Sequence, residues 1–69
     1  MPTIQIDLKT GYTIEQKRAL VREATKTICE VLRIAPAGVR ILIRDIDDEN
    51  YAVAGELWLD FLASENEKR

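Results

Sequence analysis

The stretch TIEQKRALVREATKTICEVLR, residues 13–33, decides the fold. Leu20, Val21, Ala24, Ile28, Val31 and Leu32 recur at steps of three and four, which makes one apolar stripe along a helix. Lys17, Arg18, Arg22, Glu23, Lys26 and Glu30 fall mostly off that stripe. Thr13 and Gln16 occupy the two positions of a capping box, so the helix starts there. Pro36 disfavours helical backbone at Ala35, so the helix ends near Arg33.

What stands on either side turns this helix into a crossover. Thr3–Leu8 alternate, with Ile4, Ile6 and Leu8 on one face and Thr3, Gln5 and Asp7 on the other; this is a strand with one buried face. Thr10 and Gly11 end it. Gly38 and Val39 open a second strand, with Val39, Ile41 and Ile43 on one face and Arg40, Leu42 and Arg44 on the other. A helix between two strands is a βαβ unit of the α/β class, with parallel strands and a right-handed crossover. DIDDEN, residues 45–50, is an acidic turn. YAVAGELWLDF, residues 51–61, is apolar and reads two ways. A turn at Gly55 makes a hairpin in which Leu57, Leu59 and Phe61 alternate. A short helix from Leu57 to Ala63 is the other reading, and the hairpin is preferred. ASENEKR, residues 63–69, is a charged tail with a frayed end.

A chain of 69 residues is one domain, spanning 1–69, with a marginal core of its own. Cys29 is the only cysteine, so no internal disulfide staples it. The chain has no histidine and no cysteine cluster, so neither a metal site nor a metal cofactor is expected. Two strands and a helix are too little sheet to stand alone. With 46% hydrophobic residues, the missing stability is expected from oligomerisation: strands joined edge to edge, then sheets stacked. The net charge of −2 argues against a nucleic-acid partner. No apolar run approaches the roughly 20 residues that span a bilayer, so no membrane partner is expected. The first residues lack a basic segment of the signal-peptide kind, and a reducing cytoplasm is the expected location.

The usual catalytic inventory is nearly empty. Without histidine there is no histidine-based triad, and three scattered glycines do not make a phosphate loop. Cys29 reads as a small buried apolar residue of the helix stripe. Pro2 has two readings. Proline at the first residue of a strand is tolerated because no ladder bond is lost. Alternatively, removal of Met1, expected when a small residue follows it, leaves a free secondary amine. Such an amine is a general base if an apolar pocket or a nearby cation keeps it neutral near pH 7.

Pro2 with the strand after it, GYTIEQKRALVREATKTI (11–28), APAGVRILI (35–43) and ENYAVAGEL (49–57) together resemble the tautomerase superfamily, in its short 4-oxalocrotonate tautomerase-like branch. The resemblance runs to about Leu59. It implies a βαβ subunit with a C-terminal hairpin. Such subunits pair into a four-stranded sheet, three dimers make a hexamer, and pockets form across subunit contacts. It further implies a cofactor-free shift of a proton from enol to ketone beside a carboxylate, with Pro2 as base. The substrate class it implies is a 2-hydroxydienoate or arylenolpyruvate-like carboxylate.

Arg40 matches the family's strand-2 arginine, which binds the substrate and polarises it. A guanidinium grips a carboxylate in bidentate fashion and stabilises oxygen as it gains negative charge. Tyr51 stands where the family has a pocket aromatic, usually phenylalanine. Tyr12 is a departure. The best-known members carry an arginine there that grips the far carboxylate of a diacid. Lys9, Lys17 and Arg44 are candidates to replace it, and the sequence does not choose among them. With Tyr12 uncharged, a monocarboxylic enol or an arylpyruvate-like enol stacked on Tyr12 fits better than a diacid. Two alternatives keep the fold: a non-catalytic partner chain in a hetero-hexamer, and a dehalogenase or hydratase relative. The latter place a carboxylate two residues after the aromatic, where this chain has Val53. Trp58, Phe61 and Leu57, Leu59 and Leu62 are read as buried between subunits.

Overall fold

The first helix forms where the capping pattern sets it. In a computed structural model, which describes residues 2–67, helix α1 spans Ile14–Leu32. The Thr13 hydroxyl accepts from the Gln16 N–H at 3.1 Å, and the Gln16 side-chain oxygen accepts from the Thr13 N–H at 2.9 Å. At the far end Arg33 turns left-handed (φ 57°), and the Ile34 N–H closes on the Cys29 carbonyl at 3.2 Å.

Strand β1, Thr3–Lys9, precedes this helix and strand β2, Arg40–Ile46, follows it. They pair in parallel, from Thr3↔Arg40 to Lys9↔Ile46. Ile4, Ile6 and Leu8 of β1 are half-buried, as are Val39, Ile41 and Ile43, while Thr3, Gln5, Asp7, Arg40, Leu42 and Arg44 are exposed. The alternation read from the sequence therefore holds on both strands. The helix stripe holds only in part. Leu20, Val21, Ala24 and Ile28 are half-buried, but Val31 is 72% exposed and Leu32 55%. Two strands about 5 Å apart make a platform narrower than a helix about 10 Å across, so α1 overhangs it.

The end of the chain departs from the preferred reading. β3, Ala52–Val53, and β4, Glu56–Leu57, form a hairpin of two residue pairs, and helix α2, Trp58–Glu67, follows at once. Ala54 and Gly55 turn the hairpin with φ of 53° and 84°, the doubly left-handed pattern of a two-residue loop. Leu59 and Phe61 are therefore not strand residues, and Ala63–Glu67, expected in a frayed tail, are helical. Among the described residues no longer strand is there to pair with them, and Trp58, Phe61 and Leu62 repeat at helical spacing. The Trp58 and Phe61 rings stack at 4.8 Å, one turn apart. The expected loss of Met1 and the last two residues of the charged tail lie outside the described residues.

None of the described side chains is fully buried in this single chain. The radius of gyration is 16.5 Å, against about 11 Å for a compact chain of this length. Cys29, expected to be buried, is half-buried beside an open groove of about 700 Å³ between α1 and the start of β2. Among the described residues no helix is long and apolar enough to cross a membrane.

Candidate active site

Parallel pairing determines which residues share an end of the sheet. The Arg40 N–H donates to the Pro2 carbonyl at 3.1 Å, one step before Thr3 pairs with Arg40. Pro2 and Arg40 therefore stand side by side where both strands begin. Pro2 is half-buried, and having no amide N–H it gives up no ladder bond there. The Arg40 side chain is exposed and curls over the turn before β2. Its Nη1 donates to the Ala37 carbonyl at 2.6 Å and to the Val39 carbonyl at 3.4 Å. Carbonyls orient a guanidinium without neutralising it. The ion pairs among the described residues are Lys9–Asp48, Lys17–Asp45, Arg18–Glu15 and Arg44–Asp7, so no described carboxylate compensates Arg40. Its remaining N–H groups form a fork suited to a carboxylate.

The other end of the strands holds the two tyrosines. Tyr51 follows the acidic turn, and its carbonyl accepts from the Trp58 N–H at 2.7 Å. Its ring meets the Trp58 ring edge to face at 5.9 Å. The Lys9 ammonium lies 4.3 Å from the centre of the Tyr51 ring, 4.7 Å from that of Trp58 and 3.2 Å from Asp48. Tyr51, Leu8, Lys9 and Ile46 line an open groove of about 260 Å³. Tyr12 sits in the β1–α1 loop near the same strand end but on the helix side, where it lines a groove of about 300 Å³ with Leu8, Gln16 and Leu20.

Seven steps of about 3.3 Å separate Pro2 from Lys9, beside which Tyr51 lies, so the two sheet ends are more than about 20 Å apart within one chain. The four candidates thus fall into two groups, Pro2 with Arg40 and Tyr51 near Tyr12, and a single chain does not bring the groups together.

Each cation that was a candidate to replace the loop arginine has an acidic partner. Lys17 reaches Asp45 at 2.8 Å on the helix side. Arg44, directly opposite Asp7 in the ladder, holds it in bidentate fashion at 3.0 and 3.3 Å. That hydrogen bonding holds the Asp7 carboxyl below the usual carboxylate range, with help from Gln5. Lys9 is taken up by Asp48. The Tyr51 end therefore offers no free cation, and Asp47 and Glu49 of its acidic turn stand outside these pairs, whereas the Pro2 end carries Arg40. Sequence reasoning did not single out the Lys9–Tyr51–Trp58 contact, because no periodicity links a strand end to rings 42 and 49 positions later.

Residues 2–60 match the sequence pattern described as Tautomerase enzyme. The chain belongs to this family. It is 36% identical over 55 residues to a 2-hydroxymuconate tautomerase of Comamonas testosteroni, covering 80% of this chain and 87% of that one. It is 35% identical over 57 residues to a probable tautomerase of Streptococcus pneumoniae, covering 83% and 95%. The fold superposes on a solved structure from work on the 4-oxalocrotonate tautomerase isozymes of Methylibium petroleiphilum with a TM-score of 0.85 and 38% identity, covering 91% of this chain and 98% of that one. Within the family these likenesses identify the 4-oxalocrotonate tautomerase-like branch, and the chain is an isomerase of that kind.

Proposed function

We propose that the chain is a cofactor-independent tautomerase that uses Pro2 as base and Arg40 as carboxylate grip. Its substrate is an enol with one carboxylate and a neutral tail. The observation that carries this reading is the Arg40 guanidinium, uncompensated by any described carboxylate and next to Pro2 in the ladder.

With Met1 gone, the Pro2 amine takes the proton of the enol hydroxyl. The electrons of that O–H bond form the carbonyl, and the double-bond electrons shift along the chain. The carbon at position 3 or 5, counting the enol oxygen as 1, takes the proton back from the Pro2 ammonium, forming a C–H bond. Atoms and charge balance, and no cofactor is needed. Positive charge at the Pro2 end favours the neutral amine and stabilises the oxygen as it becomes negative.

Assembly belongs to this reading. A chain in which no described side chain is fully buried, and with its candidate residues at opposite sheet ends, needs neighbours. Two copies laid antiparallel and edge to edge bring the Pro2 end of one towards the Tyr51 end of the other. Stacking three such dimers into a hexamer covers the remaining faces. A far end without a free cation, with Tyr12 in place of an arginine, favours an arylenolpyruvate-like monoacid over the diacid for which the Comamonas relative is named.

Pro2→Ala tests the base directly. With phenylenolpyruvate, kcat/KM is expected to fall about 10²- to 10⁴-fold. An undiminished rate overturns the assignment, and so does an intact mass in which active protein retains Met1.

A further inference from the structure

We propose that Lys9 is a positioning residue: its ammonium ties the C-terminal arm to the end of β1 and so sets where the Tyr51 ring stands. The proposal rests on the reading of Tyr51 as a pocket wall.

The two partners in this contact differ in rigidity. Lys9 is the last residue of β1 and pairs with Ile46, and the next N–H, of Thr10, donates to the Ile46 carbonyl at 3.2 Å. The ladder therefore holds the Lys9 backbone on both sides. The arm beyond Asp47 has a hairpin of only two residue pairs and a short helix, too little to fix its own orientation. Lys9 reaches three parts of that arm at once. It pairs with Asp48 in the turn at 3.2 Å and lies over the Tyr51 and Trp58 rings at 4.3 and 4.7 Å. Both rings are within the distance at which a cation is drawn to an aromatic face. Tyr51 and Trp58 are already joined edge to face and by their backbone bond, so one ammonium holds the pair.

The same geometry distinguishes this role from direct substrate binding. Asp48 compensates the Lys9 charge, and the Tyr51 and Trp58 rings flank the ammonium. An incoming carboxylate would meet a cation already matched by Asp48 and bring a second negative charge beside it. The aromatic that shapes the pocket is thus held by a cation that is not itself offered to the substrate.

Trp58 is the only tryptophan, so the fluorescence of the assembled protein reports on this cluster. In Lys9→Met, emission is expected to shift towards that of a more exposed indole. KM for phenylenolpyruvate is expected to rise about fivefold with kcat within about twofold, the size of a partly exposed cation–π contact. Lys9→Arg, which keeps the cation and stacks on aromatic faces, is expected to restore both. Lost activity with unchanged emission overturns the proposal, because it marks a direct substrate contact. Unchanged KM overturns it too, with or without an emission shift. If Lys9→Met does not assemble, Lys9→Arg decides: wild-type emission and KM support the tether, and altered values overturn it. Tyr51→Ala separates the two claims. An unmoved KM in that variant overturns the pocket-wall reading, whereas unmoved emission in Lys9→Met overturns the tether itself.

Discussion

The two ends of the β1–β2 pair are built from the same parallel ladder and are satisfied to different degrees. At the starting end Arg40 donates to two backbone carbonyls and meets no described carboxylate. At the finishing end every nearby cation is matched: Lys9 with Asp48, Lys17 with Asp45 and Arg44 with Asp7. An arginine left with free donors is available to a ligand, and its unspent charge shifts nearby equilibria. Matched pairs hold geometry and leave no free cation for a ligand. On the proposed function, binding and proton transfer fall at one end and shape at the other, in a pocket that joins the ends of different copies.

The strongest test removes the uncompensated charge. Arg40→Ala is expected to lower kcat/KM by about 10²- to 10³-fold, the scale of losing one group that stabilises a developing oxyanion. Its far-UV circular dichroism and oligomer mass should stay unchanged. A near-normal rate would erase the distinction between the ends.

Giving the finishing end a free cation should blur the contrast in the opposite direction. Tyr12→Arg is expected to raise kcat/KM for 2-hydroxymuconate relative to phenylenolpyruvate by about tenfold, through new charge-assisted hydrogen bonds. A ratio that does not move would place Tyr12 outside the pocket.

A smaller effect concerns the arm that carries Tyr51. Ala54 is held at φ 53° in the hairpin turn, a conformation that glycine adopts without a Cβ clash. Ala54→Gly relieves that strain and adds flexibility to the unfolded chain, for a net gain of about 0.5 kcal/mol in thermal or denaturant melts.

The smallest expected effect is a pH dependence. The Asp7 carboxyl is lowered from 3.8 by its hydrogen bonds to Arg44, so the pair contributes fully above that value. Its contribution fades as the pH falls below 3.8 through the lowered folded value. Arg44→Gln should therefore narrow the stability difference between neutral and acid melts. Because the pair is exposed, salt should weaken it in the parent protein.

Most of the βαβ body was legible in the sequence. The alternation of Ile4, Ile6 and Leu8, the Thr13–Gln16 box and the break before Pro36 are local signals, and each appears where it was read. The family resemblance singled out Pro2, Arg40, Tyr51 and Tyr12 as candidates. The arm was misjudged in its second half. Leu57, Leu59 and Phe61 satisfy a period of two while Trp58, Phe61 and Leu62 satisfy a helical one, and a short apolar run does not choose between them. The absence of β-branched residues from Leu57 to Ala63 was the available hint towards helix.

By itself the sequence determined the order of the elements, the faces of both strands and the helix cap, because these depend on neighbours within about four positions. Only the tertiary structure decided which residues share a sheet end, that Arg40 is left uncompensated among the described residues, and that Lys9 rests on Tyr51 and Trp58. Those facts depend on the ladder register and on contacts between residues 37 to 49 positions apart, and the local pattern of a chain does not encode such distances.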